Sequence, residues 1–167
     1  MNTNMTPVDW AKRPLQKYAD FTGRAPRPEF WWYVLGYVIA SVVLMIVESA
    51  LGMNKMLGQI GPLRALLALA LLLPTLAVGA RRLHDTNRSG WWQAIAFVPY
   101  GLMVVAGALA VMGAGLLGLL AMMGIIGIIA LVAAIVLIVF WAMPGTPGEN
   151  RYGAPVSGDS IGVVAAE

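Results

Sequence analysis

Cysteine is absent from this 167-residue chain. That excludes disulfides, thiolate metal sites and thiol catalysis. Histidine occurs once, at His84. One imidazole and scattered carboxylates are poor material for zinc, so no metal site is expected. No glycine-rich phosphate loop, G-x-S-x-G elbow or H-E-x-x-H pair is present. With no recognisable catalytic constellation, the chain is expected to be neither an enzyme nor the holder of a cofactor.

Charge is also scarce. Charged residues make up 11% of the chain, less than half of the roughly 25% usual in a soluble domain. Too few polar side chains remain to cover a water-facing surface. Hydrophobic residues reach 59%, and long runs of them carry no charge. The net charge of +3 and a pI near 9.5 raise the question of nucleic acid. The positions of the charges exclude it, because most flank apolar runs, where basic groups meet lipid phosphates and set orientation.

These features predict an all-α fold, a multi-pass transmembrane bundle of four spans. Residues 1–29 form a polar leader with an interfacial segment. Thr6-Pro7-Val8-Asp9 reads as a helix start, with a hydroxyl cap, proline at the first position and a carboxylate three residues on. Val8, Ala11, Leu15 and Tyr18 then recur at helical spacing among Lys12, Arg13 and Lys17, giving an amphipathic piece at the membrane surface. Pro14 is expected to bend or split it.

The bundle covers residues 30–143, with spans near 30–51, 63–80, 92–112 and 118–142. The 18 uncharged residues from Phe30 to Val47 make about 27 Å of helix, close to the ~30 Å core of a bilayer. Trp31, Trp32 and Tyr33 open that span, and Trp91-Trp92 open the third, as interfacial belts. Pro74 predicts a kink in the second span, tolerable if a neighbour satisfies the freed carbonyl. From Trp91 to Met143 no residue among 53 is charged. One helix of that length would be about 80 Å, so the run is expected to reverse near Gly113-Ala114-Gly115 and Gly118. Ala106, Ala110, Ala114 and Gly118, and likewise Gly36 and Ala40, have the spacing of a close helix–helix seam, within the chain or between subunits. Residues 144–167 form a turn-rich tail.

Lys and Arg set the orientation. The leader holds five of them (Lys12, Arg13, Lys17, Arg24, Arg27), the 48–64 connector two, the polar loop read at 81–90 three, and the tail one. Four spans place nine on one side against two, so the N-terminus, the 81–90 loop and the C-terminus are expected in the cytoplasm. Three spans would move the tail across.

Three polar patches are then expected to meet at the cytoplasmic face. They are Gly23–Trp32, Arg81–Trp92 and Pro144–Gly153. They offer Arg24, Arg27, Arg81, Arg82, Arg88 and Arg151 against Glu29, Asp85 and Glu149, with His84 and Asn150 among them. Bidentate arginine–carboxylate pairing would lock the segments together, and surplus arginines would suit a phosphate. His84 reads as a histidine hydrogen-bonded to Asp85 or a carbonyl in preference to a proton relay. Asp85 reads as a turn cap or partner of Arg88, and Glu29 and Glu48 as boundary residues paired with arginine.

Phe21-Thr22-Gly23-Arg24 through Phe30-Trp31, Arg81 through Trp92, and Gly145 through Gly153 follow one order of motifs. It is F-x-G-R-x-x-R-x-E-F/Y-W, R-R-L-H-D-x-x-R-S-x-W-W and G-T-P-G-x-N-R-F/Y-G. In this the chain resembles the domain-of-unknown-function 805 family, the YhaH-like bacterial inner-membrane proteins, over about residues 18–155. The resemblance implies a small helical inner-membrane protein and no established activity. Short members carry one proline-broken apolar stretch before the last motif. Here Pro99 matches that break, and a Gly/Ala-rich insertion follows around 103–133.

Three functions compete. The favoured one is a non-catalytic bundle whose arginine cluster holds anionic lipid headgroups or a membrane-protein partner, including a second copy of the chain. A transporter or channel built by oligomerisation is the second, although Ser41 and Thr75 are among the few polar residues available to line a path. An enzyme acting on a membrane phosphate, with His84 and Asp85 as acid and base, is the third.

Overall fold

The computed structural model describes residues 5–53, 61–113 and 115–156, with no side-chain description for residue 111. Lys55, Ala114 and the tail beyond residue 156 lie outside the described residues. Among those described, the regular structure is helical, apart from an isolated bridge between Asn150 and Gly153. The helices are α1 (Pro7–Gln16), α2 (Arg27–Ala50), α3 (Pro62–Ala70), α4 (Leu72–Asp85), a 3-10 segment (Gly90–Phe97), α5 (Val98–Val111) and α6 (Leu116–Ala142).

Helix α1 starts where the cap pattern predicts. The Thr6 hydroxyl accepts from the Asp9 amide at 3.2 Å, and the Asp9 carboxylate accepts from the Thr6 amide at 3.0 Å, a reciprocal box that satisfies two orphan donors. Pro14 does not split the helix. It sits inside α1, two residues before the end, and is buried. The helix packs along α2 and touches α4.

Among the described residues, three helical stretches are long and apolar enough to cross a membrane: α2, the 3-10 segment continued into α5, and α6. Helices α3 and α4 are bent by 47° at Leu71 and make a fourth when counted as one broken span. The bend has the expected cause and a specific remedy. Pro74 has no amide hydrogen to donate to the carbonyl four residues back, which is that of Ala70. The Tyr18 hydroxyl donates to that carbonyl instead.

Most apolar side chains point outward. Only 17% of the apolar window of α6 is buried within the chain, and Val104, Leu117 and Ile128 are widely exposed. In water such a surface would aggregate; in hydrocarbon it is solvated. The small internal core lies at one end, where Ala25, Phe30, Tyr33 and Val78 pack with Val34 and Trp141.

Several boundaries differ from the sequence reading. Helix α2 begins at Arg27 instead of Phe30. The segment read as an 81–90 polar loop is helical through Asp85, and the turn is confined to residues 86–89. Polarity does not force the chain out of the helix there, because Arg81, Arg82 and Asp85 find partners inside the protein. The helix ends at Asp85, and two residues on Asn87 adopts a left-handed φ of +58°, a common helix ending. The apolar run reverses after α5 with Gly113 at φ +87°, a conformation glycine adopts without strain. Gly118 lies within α6. Of the described residues in the predicted alanine–glycine seam, Ala106 is buried while Ala110 and Gly118 face outward. Among the described residues, Ala110 and Gly118 therefore join no packed seam with Ala106.

Candidate functional site

The start of α2, the end of α4 and the end of α6 converge at one end of the bundle around Asp85. The sequence places a charge-rich motif on each.

Asp85 lies between two guanidinium groups. Arg24 Nε donates to Asp85 Oδ1 at 2.7 Å, and Arg82 Nη1 donates to Oδ2. All three side chains are nearly sealed from solvent. A carboxylate at a helix C-terminus faces the negative end of the helix dipole, and the two cations offset that. One negative charge does not balance two positive ones, and backbone carbonyls take the remaining donors. Arg24 donates to the carbonyls of Thr146 and Gly148, each at 2.7 Å. Arg82 donates to those of Trp141, at 2.9 Å, and Met143. The last carbonyls of a helix have no partner of their own, so Arg82 caps α6 while neutralising Asp85. Arginine suits this work, since its fixed fork of five donors reaches several acceptors at once.

The third motif wraps this centre. The Thr146 amide donates to the Asp85 carbonyl at 2.9 Å. Asn150 Nδ2 donates to the His84 carbonyl at 3.0 Å and to the Thr146 hydroxyl at 2.8 Å. Gly145 lies so close that a Cβ there would sit 2.3 Å from Asp85 Oδ2.

Glu29 forms a second ionic centre. Its carboxylate is 3.0 Å from Arg81 Nη1 and 3.3 Å from Arg13 Nε, with no solvent exposure for Glu29 or Arg81. The contact is ionic without well-aimed hydrogen bonds. Arg13 comes from α1, outside the three motifs; nothing in the sequence announces that α1 folds back onto the start of α2.

The remaining predicted site residues lie at the rim. Arg27 is half-buried, with Nε 3.3 Å from the Met143 carbonyl. Arg88 does not pair with Asp85; its guanidinium stands over the Phe140 ring at 4.2 Å. Arg151 is exposed, donating to the Asn87 carbonyl at 3.2 Å and covering Tyr152. Glu149 is exposed. His84 Nδ1 bonds to the Gly23 carbonyl at 3.1 Å rather than to Asp85, and its ring stacks on Tyr152 at 3.8 Å. Sequence reading missed Trp141. Its indole N–H donates to the Gly79 carbonyl at 3.3 Å and its ring meets Phe30 at 4.9 Å, pinning α6 to α4 and α2. Among the described residues, no three His, Asp or Glu side chains converge as metal ligands would.

At the opposite end of α2, Glu48 accepts from the Arg64 backbone amide at 3.0 Å and from its Nε at 2.6 Å. This caps the start of α3 with a carboxylate, the favourable sign there. It confirms arginine pairing for Glu48.

Residues 18–154 match the family described as "Protein of unknown function (DUF805)". The chain is 32% identical over 147 residues to the inner membrane protein YhaH of Escherichia coli K12, covering 87% of this chain and 94% of that protein. It is 38% identical over 93 residues to the inner membrane protein YhaI of the same organism, covering 56% of this chain and 75% of YhaI. No solved structure matches it. The three motifs that build the Asp85 centre all lie within the matched region, and the chain belongs to the DUF805 family.

Proposed function

We propose that the protein is a non-catalytic inner-membrane bundle that holds anionic lipid against its cytoplasmic end. Its family relatives YhaH and YhaI are inner membrane proteins, and nine basic residues against two favour the end bearing Asp85 as cytoplasmic. Four crossings fit the Asp85 and Glu29 centres, because the chain returns to the same end between Glu29 and Arg81 and again between Asp85 and Met143.

The buried arginines are poor candidates for the lipid contact. Arg24 and Arg82 spend their donors on Asp85 and on carbonyls, and Arg81 is sealed against Glu29. Their part in this reading is architectural. The lipid contact falls to Lys12, which is exposed, and to the half-buried Lys17 just after α1, which also pairs with Asp20, with Arg27, Arg88 and Arg151 at the rim.

The observation that carries the reading is a groove of about 410 Å³ between α1 and α2. Val8, Leu15, Leu35 and Ile39 are among its apolar lining residues, and Lys12 is its charged one. Such a groove suits an acyl chain with its phosphate beside the ammonium group. The test is phosphatidylglycerol retained per protein after purification. Lys12→Gln combined with Lys17→Gln is expected to cut retention severalfold without lowering thermal stability. Unchanged retention in a folded double variant would refute the reading.

A further inference from the structure

We propose that a cavity beside His84, separate from the arginine centre, binds a neutral hydroxyl-bearing aromatic molecule dissolved in the bilayer. The cavity is about 600 Å³ and lies between α4, the 3-10 segment and the C-terminal loop. That volume is within the roughly 300–1,000 Å³ usual for small-molecule sites. Phe21, Trp91, Phe97 and Tyr152 supply aromatic walls, and no Asp, Glu, Lys or Arg lines it. Arg151 stands behind Tyr152 and does not line the cavity, so an anionic headgroup would find no direct ion-pair partner and the site suits an uncharged molecule.

The polar groups define what it recognises. A carbonyl oxygen only accepts, so the 3.1 Å contact with Gly23 places the imidazole hydrogen on Nδ1. In the neutral ring Nε2 is then an acceptor. Among the described residues nothing donates to it. Stacking on Tyr152, with the rings 6° from parallel, fixes its direction. Gly90 keeps that edge clear, since a Cβ there would come within 3.4 Å of Nε2 and 2.8 Å of Ala80 Cβ. The Ser89 hydroxyl, which accepts from the Trp91 amide, keeps its own hydrogen for a ligand. An oriented acceptor among aromatic rings matches a phenol or quinol: the ring fills the walls and its hydroxyl donates to Nε2. Trp91 and Phe97, 84% and 54% exposed, put the mouth on the outer surface, where a membrane-dissolved molecule enters.

The single histidine makes the test specific. Full-length protein labelled with ¹⁵N-histidine, in phosphatidylcholine nanodiscs, is titrated with 4-hexylphenol and, separately, with 4-hexylanisole, which lacks the hydroxyl. The expected result is a saturable shift of the Nε2 resonance with the phenol and about fivefold weaker binding of the ether, the worth of one hydrogen bond. Ala94→Trp, which fills the cavity from an exposed lining position, is expected to abolish saturation. Equal responses to both probes, a linear response, no response, or unchanged binding in a folded Ala94→Trp variant would each overturn the proposal. The wild-type titration is decisive alone if that variant does not insert.

Discussion

Arg24 and Asp85 are 61 positions apart in the chain and 2.7 Å apart in space, both nearly free of solvent contact. Asp85 is also the carboxylate partner of Arg82, so its charge holds two buried cations. Asp85→Asn keeps the side-chain shape and removes that charge. Breaking a buried pair by deleting one partner costs about 3–5 kcal/mol, and the variant is expected to lose stability on that scale. Thermal unfolding or pulse proteolysis in detergent measures it. Arg151→Ala, at an exposed position, is the control and is expected within about 0.5 kcal/mol of wild type. A similar, small loss in both would remove Asp85 as the closure of the bundle.

The two glycines of the third motif serve different ends, and alanine separates them. At Gly145 a Cβ would collide with the Asp85 carboxylate, whereas Gly148 has open space but a φ of +72°. Gly148→Ala is expected to cost about 1 kcal/mol in backbone strain and to leave the Asp85 centre intact. Gly145→Ala is expected to cost more, because the clash is with the charged centre, and to free the 144–153 loop. Limited proteolysis of that loop distinguishes them; equal cleavage in both variants would refute the assignment.

The motif residues were legible in the sequence because arginines and carboxylates at the borders of apolar runs need partners. Their order along the chain identified which segments would meet. The helical state of Arg81–Asp85 was not legible, since it depends on ion pairs and carbonyl contacts contributed from 52 to 66 residues away. The stop signal was there in Asn87, a residue tolerant of positive φ. Arg13 as a partner of Glu29 and the cavity beside His84 follow from tertiary packing alone and leave no pattern in spacing or composition.

Helix α1 carries a pH dependence of known sign. The Thr6 hydroxyl, and next the Thr6 amide, hold the Asp9 carboxyl below its ordinary value of 3.8. The fold therefore favours the charged form. Its contribution is complete above the ordinary value and is lost as pH falls through the lowered one. Amide exchange in α1 is expected to accelerate, relative to α2, only below about pH 4. Asp9→Asn removes this dependence. Fraying of α1 between pH 7 and 5 in the wild type would contradict it.

Tyr18 and Pro74 form a matched pair that a double-mutant cycle can expose. Proline leaves the Ala70 carbonyl without its helical donor, and the Tyr18 hydroxyl supplies one. The bond lies at an exposed position, which faces hydrocarbon if α3 and α4 form one span, and there Tyr18→Phe alone leaves the carbonyl without a donor, at about 1–3 kcal/mol. Pro74→Ala restores an amide at that position, which lets the helix satisfy the carbonyl itself and straightens the bend at Leu71. In that background Tyr18→Phe is expected to cost close to nothing. The interaction energy of the cycle should thus be about 1 kcal/mol or more, read from unfolding of the four variants in the same detergent. Additive effects would mean that the hydroxyl contributes no bond to that carbonyl, and the bend would need another source of relief.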